Sequence, residues 1–277
     1  MPELGKYPIE LISTSFMENF VFNKLKEGRI DGKGGLSPKT TSDIMIVIKG
    51  SFNYAKLYGA ATKCHFERIN YRKPPSKIRV LSYQDEKKLL SVLCSDWDRY
   101  KMGVFLCLYT GIRIGELCAL KWENISFAEA EIKIEHTVQR LQNEEKDTVK
   151  KTRLIITEPK SYSSFRNIPL PQFLIDAIKP FEGETNEYVL SGDCKTIVEP
   201  RTMQYRFKAY LKKADVEYTN FHALRHTFAT RCVEAGFDVK TLSEILGHSS
   251  VKITLDKYVH SSMQLKRKNM EKLKPII

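Results

Sequence analysis

Four short segments of the 277-residue sequence hold cationic, imidazole and phenol side chains suited to phosphate chemistry. They are Thr110-Gly-Ile-Arg113-Ile-Gly-Glu116-Leu, Thr157-Glu-Pro-Lys160-Ser, His222-Ala-Leu-Arg225-His226 and Leu246-Gly-His248-Ser-Ser, the last followed ten residues later by Tyr258. A guanidinium stays charged and binds phosphate through two parallel hydrogen bonds. Fixed cations stabilise the charge that develops on a phosphodiester during cleavage. A tyrosine, with an ordinary pKa of about 10, attacks phosphorus only after losing its proton. The set therefore suits metal-free cleavage of a phosphodiester.

Each of these residues also has an ordinary structural explanation when it is taken alone. Arg113 could form a surface ion pair with Glu116, and Lys160 could be a solvated turn residue. His248 could cap a helix, and Tyr258 could belong to an amphipathic core. The combination of all of them is far more specific than any single member.

His222 and His226 have the i, i+4 spacing of a helical metal site, but the sequence does not complete one. Arg225 stands between them, the glutamate of H-E-x-x-H is missing, and no carboxylate or cysteine cluster adds ligands. The six cysteines include no C-x-x-C pair and are expected to be reduced thiols. No nucleotide-binding G-x-x-x-x-G-K-S/T loop is present. We therefore expect neither a metal nor another cofactor.

Periodicity and capping residues predict an α+β fold, mainly α with a small antiparallel β-sheet. Ser82 is a good N-cap, and an apolar helix from about Arg99 to Tyr109 ends at Gly111, which suits a C-terminal cap. Alternating and β-rich stretches over residues 131–170 predict the sheet, with Lys160 in a turn between strands. The predicted strands are Glu131–Thr137, Leu154–Ile156 and Arg166–Leu170, and the later helices are one starting at Pro171, Phe221–Ala235 and Val239–Leu246.

The N-terminal part is predicted to be a separate helical domain. Helical spacing follows Ser37-Pro38, where proline fits the first turn of a helix. The apolar positions are Ile44, Ile48, Phe52, Ala55 and Leu57. Lys73-Pro74-Pro75-Ser76-Lys77 is the best linker candidate, because consecutive prolines stop a helix. We therefore predict a helical domain over 1–72, a linker over 73–81 and a second domain over 82–277 that ends in a tail, 259–277.

The net charge of +12 is concentrated at the two ends of the chain. Residues 1–80 contain 14 Lys/Arg against 7 Asp/Glu, and residues 259–277 contain 5 against 1, whereas the residues between are nearly balanced, at 26 against 25. This distribution suggests a polyanionic partner such as nucleic acid, although surplus charge can also serve solubility alone. The sequence has no run of about 20 apolar residues and no secretion signal, so we expect a cytoplasmic protein without membrane association.

In order and spacing, these residues closely resemble the catalytic domain of the tyrosine recombinases, also called phage integrases. The resemblance covers about residues 80–265, and three segments match in residue identity as well as in order: Ala119-Leu-Lys-Trp122, His222–Ala229 and Leu246–Ser249. The basic helical region before Ser82 looks like the family's core-binding domain. All six catalytic positions of the family are filled. They are Arg113, Lys160, His222, Arg225, His248 and Tyr258.

The resemblance implies a role for each of these six residues. The two arginines would hold the phosphate, and Tyr258 would be the nucleophile, with His222 as its base. His248 would donate a hydrogen bond to the scissile phosphate. Lys160, on a hairpin, would be the general acid that protonates the departing 5′-oxygen. The product would be a 3′-phosphotyrosine, which stores the bond energy for religation, so that no ATP is needed.

The implied function is site-specific recombination that integrates or excises a mobile element, as phages and conjugative transposons do. The implied assembly is a two-domain, C-shaped clamp on double-stranded DNA, with a homotetramer acting at attachment sites. The tail, 259–277, would dock on a neighbouring subunit, although it could also fold back on its own catalytic domain. An excisionase or a host DNA-bending protein is a candidate accessory partner. The enzyme would act on the chromosome of a bacterial cell.

Two other function classes share parts of this pattern. A type IB topoisomerase uses similar chemistry as a monomer, but the region before residue 80 and the tail favour a recombinase. A catalytically silent DNA-binding relative would have no physical need for Tyr258 and both arginines together. Many integrases of this subgroup also carry an N-terminal arm-binding domain, for which the sequence has no room before its core-binding helices. That departure puts binding to distant arm sites in doubt, but not cleavage.

Overall fold

The computed structural model describes residues 3–69, 78–143, 152–158, 162–259 and 270–271. The chain divides into two units, residues 1–77 and residues 78–277, each with its own hydrophobic core. Three predicted features lie wholly or largely outside the described residues. They are Lys160, the linker over 73–81 as far as residue 77, and the tail beyond Val259 except for residues 270–271.

The first unit is built around two helices, α1 (Thr14–Glu27) and α2 (Pro38–Leu57). Ser13 and Ser37 cap them, each accepting a hydrogen bond from the backbone N–H three residues on. Short 3₁₀ helices, Ile9–Leu11 and Phe66–Arg68, precede and follow this pair. The buried core draws mainly on the two helices, through Met17, Phe20, Val21, Met45, Ile48 and Phe52.

The predicted helix after Ser37-Pro38 is confirmed, and the apolar positions at its helical spacing are buried to different extents. Ile48 and Phe52 are buried, whereas Leu57 is 83% exposed. Leu57 is the last residue of α2, so it lies past the stretch of the helix that supplies the core. Spacing alone cannot show where a helix leaves its packing partner.

The second unit contains eight α-helices in its described residues, none of them long and apolar enough to span a membrane. They are α3 (Tyr83–Leu93), α4 (Arg99–Thr110), α5 (Ile114–Ala119), α6 (Gln172–Ile178), α7 (Pro200–Lys213), α8 (His222–Glu234), α9 (Val239–Leu246) and α10 (Val251–Tyr258). The predicted N-cap at Ser82 is confirmed. Gly111 and Gly247 end α4 and α9 in the left-handed conformation that glycine adopts most easily.

Five strands accompany these helices, and all their pairings are antiparallel. They are β1 (Ile125–Ser126), β2 (Glu131–Ile134), β3 (Thr137–Gln142), β4 (Thr152–Thr157) and β5 (Arg166–Pro169). The first sheet has the order β1-β2-β5, and β3 pairs separately with β4. The predicted fold class, mainly α with a small antiparallel sheet, is confirmed.

The detailed strand prediction needs one correction. Residues 131–137 were expected to form one strand, but the chain changes partner between Ile134, which pairs with Arg166, and Thr137, which pairs with Thr157. Thr137 therefore begins β3, a strand that the alternation of Ile132 and Ile134 did not predict. Strand pairing depends on distant residues, so a local pattern cannot reveal such an exchange.

A small apolar cluster joins the last three helices of the second unit. Leu242 and Leu246 of α9 are fully buried against Ala229 and Cys232 of α8 and against the ring of Tyr258 at the end of α10. Burial of one leucine side chain contributes about 1.5–3 kcal/mol to folding. This cluster therefore fixes α10, and with it Tyr258, against α8.

Candidate active site

Arg225 lies on α8 with its guanidinium anchored between two helix ends. Its Nη1 donates to the Gly111 carbonyl at 2.9 Å, and its Nη2 donates to the Leu246 carbonyl at 2.6 Å. These carbonyls lie at the C-terminal ends of α4 and α9, where the helix dipole favours a cation. Burial lowers the pKa of Arg225 to about 9, so the group is still charged at neutral pH.

Gly111 lies where no side chain fits. Its φ is +66°, and a Cβ atom built there would lie 2.5 Å from Cδ1 of Phe228 on α8. Any other residue would both strain the backbone and push α4 away from α8. The glycine therefore sets the distance at which its carbonyl accepts the Arg225 hydrogen bond.

Arg113, the N-cap residue of α5, reaches the same end of α9. Its Nη2 donates to the Gly247 carbonyl at 3.1 Å, one residue beyond the carbonyl that Arg225 binds, and its Nη1 donates to Glu116 Oε1 at 2.7 Å. The Arg113 side chain is 36% exposed, so it remains open to a ligand. Two guanidinium groups therefore converge on one helix end.

Glu116 is the buried anion of this arrangement. Both of its carboxylate oxygens accept from Arg113, Oε1 from the guanidinium and Oε2 from the backbone N–H at 2.8 Å. Both also accept from Arg166 of β5, at 3.2 and 2.8 Å. Burial acts to raise the pKa of Glu116, but Arg166 and then Arg113 lower it to about 2. Arg166 also donates to the Ile245 carbonyl at 2.6 Å. It therefore ties β5 to α5 and to the end of α9.

Three histidines surround the two arginines. His222 begins α8, and its ring meets that of His226 edge-on, with centroids 4.6 Å apart. His248 follows Gly247, and its Nδ1 is hydrogen-bonded to Thr254 Oγ1 at 2.8 Å. Loss of hydration and the neighbouring positive charges lower the pKa of His222 and His226 to about 4 and that of His248 to about 3. All three imidazoles are therefore neutral at pH 7.

Tyr258 ends α10, and its phenol faces these imidazoles. Its Oη lies 2.7 Å from His226 Nδ1, and its ring is parallel to that of His248, with centroids 6.3 Å apart and an interplanar angle of 4°. Burial raises the pKa of Tyr258 more than Arg225 and Arg113 lower it, so the hydroxyl is protonated at neutral pH. The ring also packs in the apolar cluster, so Tyr258 is part of a hydrophobic core as well as of this site.

The fold thus brings together five of the six residues chosen from the sequence, while Lys160 lies outside the described residues. The five are Arg113, His222, Arg225, His248 and Tyr258. Two further groups, Arg166 and the His226 contact with Tyr258, were missed. His226 stood in a quoted motif, but nothing local indicated that a phenol 32 residues later would reach it. The ion pair expected between Arg113 and Glu116 is present, as part of the site.

Among the described residues, no group of three or more His, Cys, Asp and Glu side chains could hold a metal ion. The cations here are instead the arginines, whose fork matches the oxygens of one phosphate. Such a site can hold a phosphodiester beside a phenol.

The sequence model of the phage integrase family matches residues 79–265, about two thirds of the chain. The chain belongs to the phage integrase family. It is a tyrosine recombinase, an enzyme that transfers DNA strands in site-specific recombination. The predicted family, function and enzyme class are confirmed, and neither the topoisomerase nor the silent relative is favoured.

Individual relatives of this recombinase match over most of its length. The tyrosine recombinase XerC-like protein of Caldanaerobacter subterraneus subsp. tengcongensis is 29% identical over 98% of this chain and 73% of its own. Tyrosine recombinase XerA of Thermococcus kodakarensis is 30% identical over 88% of this chain and 78% of its own. Among solved structures, the Tn1549 transposon integrase in complex with transposon right end DNA is 25% identical, with a TM-score of 0.76 over 98% of this chain and 88% of that one. Binding of DNA is thus a property of the family.

Proposed function

We propose that this recombinase cleaves DNA with Tyr258 as its nucleophile while Arg113 and Arg225 hold the scissile phosphate. One observation carries the proposal. The guanidiniums of Arg113 and Arg225 donate to consecutive carbonyls at the end of α9, and the Tyr258 hydroxyl is hydrogen-bonded to His226, the residue after Arg225. His248 follows the same helix end and would donate to the phosphate. A fixed donor of this kind typically contributes about 10²–10³ in rate.

In the proposed reaction, the Tyr258 oxygen bonds to phosphorus as the bond from phosphorus to the 5′-oxygen breaks. The phenol proton passes to a base, for which the family resemblance indicates His222. The 5′-oxygen gains a proton from an acid, which the same resemblance assigns to Lys160. One phosphoester bond forms for each one that breaks, so attack by the 5′-hydroxyl on the 3′-phosphotyrosine can reverse the step without ATP.

The proposal extends to the way in which DNA is bound. Residues 1–72 would act as the core-binding domain and residues 82–277 as the catalytic domain, the two forming a C-shaped clamp on an attachment site of a mobile element. The support is the excess of Lys and Arg in the first 80 residues, together with the catalytic cations of the second unit. Phosphate contacts from both would make binding depend steeply on salt.

Exchange between two duplexes needs four coordinated cuts, so the proposal includes a homotetramer on DNA. The tail, 259–277, would link neighbouring subunits, since its net positive charge and its few apolar residues leave it little stability alone. An excisionase or a host DNA-bending protein would be an accessory partner. The reaction would take place in the cytoplasm of a bacterial cell.

A trapping experiment tests the chemistry. Nicked duplexes with a randomised central segment are incubated with the protein in excess EDTA, and DNA that stays attached in denaturant is sequenced to define a substrate. We expect the wild-type protein to form this adduct and Tyr258→Phe to form none. Tyr188→Phe is the matched control, because Tyr188 is equally buried, at 6% exposure, outside the site. An adduct that persists in Tyr258→Phe, or one that forms only with added divalent metal, would overturn the proposal.

A further inference from the structure

The hydroxyl of Tyr258 is hydrogen-bonded to a histidine that the family resemblance left without a role. Among the described residues, the hydrogen bond of Tyr258 Oη is the one to His226 Nδ1, at 2.7 Å. His222 instead meets the His226 ring, with centroids 4.6 Å apart. His248 stacks beside the phenol and has its Nδ1 engaged by Thr254. The imidazole in contact with the phenol is therefore that of His226.

From these contacts we infer that His226, in place of the His222 that the family resemblance indicates, is a catalytic residue, the general base that accepts the Tyr258 proton. This inference rests on the proposed function, because it takes Tyr258 as the nucleophile. When the ring carries its proton on Nε2, Nδ1 accepts from the phenol O–H. As Oη bonds to phosphorus and the bond to the 5′-oxygen breaks, the phenol proton moves to Nδ1 and leaves an imidazolium. In religation the proton returns to Oη as the 5′-hydroxyl attacks.

The scaffold holds this base in a fixed place relative to the phosphate. His226 follows Arg225 directly on α8, and Arg225 is fixed by the carbonyls of Gly111 and Leu246. The α10 helix is held against α8 by the buried cluster that includes Leu242. The base and a phosphate-binding cation are therefore held by one helix, and the Arg225 charge acts on both His226 and Tyr258, lowering the pKa of each. A base must be in hydrogen-bond reach of the proton it takes, and His226 already is.

Bound DNA would also favour the proton transfer. Burial, followed by the charges of Lys257 and Arg225, lowers the pKa of His226 in the DNA-free protein. A phosphate held by Arg225 adds a negative charge beside the ring and offsets that cation. The imidazole then becomes a stronger base when the substrate is present. His222, edge-on to His226, is placed to interact with the resulting imidazolium.

The first test is single-turnover cleavage of the duplex selected in the trapping experiment. His226→Gln keeps a polar side chain but cannot accept a proton at neutral pH, so we expect adduct formation to slow by about 10²–10⁴-fold, the usual contribution of a general base. His136→Gln is the matched control, because His136 is an exposed histidine between β2 and β3, and its rate should equal that of the wild type. A His226→Gln rate equal to or above that of the wild type would overturn the inference.

A second substrate distinguishes the loss of a general base from the loss of a general acid. When the 5′-bridging oxygen is replaced by sulfur, the leaving group is a thiolate of low pKa that departs without protonation. A variant that has lost the acid regains its rate on this substrate, whereas one that has lost the base does not. We expect His226→Gln to remain slow on the sulfur duplex. Recovery of its rate would assign His226 to the leaving group instead and overturn the inference.

If His226→Gln fails to fold, as a thermal melt would show, NMR of proteins that keep His226 tests the contact on which the inference rests. The ¹⁵N resonance of His226 Nδ1 should shift in Tyr258→Phe, because the hydrogen bond is lost, and remain in place in Tyr188→Phe. An unchanged resonance would overturn the inference. The two proposals fail separately: an adduct that survives Tyr258→Phe refutes the proposed nucleophile, whereas loss of the adduct in Tyr258→Phe with full activity in His226→Gln refutes only the base.

Discussion

Burial and the neighbouring positive charges lower the pKa values of the three histidines of the site. His248 has a pKa lowered to about 3, first by burial and then by Arg225. The pKa values of His222 and His226 are lowered to about 4, so these imidazoles are uncharged in the DNA-free protein at neutral pH. A phosphate bound by the arginines opposes this positive field and raises all three values. The basicity of the three imidazoles should therefore increase when DNA is bound.

Glu116 gives a prediction about stability at the residue scale. Its pKa is lowered to about 2 in the folded chain, chiefly by Arg166, against about 4.3 in an unfolded chain. The stabilisation of the folded state by ionised Glu116 is therefore complete above about pH 4.3 and is lost as the pH falls through about 2. A shift of this size corresponds to about 3 kcal/mol in the free energy of unfolding. Urea unfolding between pH 6 and pH 3 measures the first part of this loss.

The comparison with Glu116→Gln isolates this carboxylate from other titrating groups. We expect the difference in unfolding free energy between the wild type and Glu116→Gln to shrink as the pH falls below about 4. Glu123→Gln is the control, because Glu123 is exposed and its only ion-pair partner in the described residues, Lys121, lies 3.6 Å away. A difference that stays constant with pH would contradict the assignment of Glu116 as a buried, charged anchor.

At the scale of elements, the cluster between α8, α9 and α10 should affect the reaction as well as stability. Leu242 is fully buried beside Tyr258, and Leu174 of α6 is equally buried in the main core of the same unit. Leu242→Ala and Leu174→Ala should each destabilise folding by about 2–5 kcal/mol. Only Leu242→Ala should also slow cleavage where both variants are folded, since a displacement of about 1 Å can cost about 10²-fold. Equal cleavage rates for the two variants would show that the cluster does not position the nucleophile.

The helix ends were predictable from the sequence, whereas the pairings and contacts between distant segments were not. Ser82, Gly111 and Gly247 act through their own side chain or backbone, so the local sequence shows them as caps. The partner exchange at Thr137 depends on where Thr157 lies after folding. The catalytic candidates were found through a whole motif set, because an isolated arginine or tyrosine has an ordinary structural explanation.

Contacts that cross the fold explain what the sequence missed in the site. Arg166 begins a strand, and no local pattern indicates that it binds Glu116, 50 residues earlier, and the Ile245 carbonyl, 79 residues later. The bond of His226 to Tyr258 has the same character. Both contacts follow from the packing of α8, α9 and α10 and of β5 against α9. Sequence spacing therefore predicts which residues take part more readily than it predicts their partners.

At the scale of the whole molecule, the surplus of positive charge in the first unit predicts its part in DNA binding. Lys49 and Lys56 are exposed on α2. If they contact phosphates, Lys49→Gln/Lys56→Gln should reduce the slope of log affinity against log salt by up to about 2, because each lost contact removes about 0.9. Fluorescence anisotropy with a labelled duplex of arbitrary sequence measures this slope.

A second double variant separates a contact from a change in net charge. Lys179→Gln/Lys195→Gln removes the same charge from exposed positions of the second unit and should leave the slope nearer the wild-type value. If both double variants lower the slope equally, only net charge matters. If the variant on α2 leaves it unchanged, that face does not contact phosphates and the proposed part of α2 in the clamp is wrong.

The most direct test of the central claim is to locate the covalent bond between the protein and DNA. The trapped adduct is digested with protease and nuclease, and mass spectrometry identifies the modified residue, while a kinase tests the released strand for a free 5′-hydroxyl. We expect a nucleotide joined through its 3′-phosphate to Tyr258, with a 5′-hydroxyl that the kinase phosphorylates. A link to any other residue, or a phosphate left on the 5′ side of the break, would contradict it.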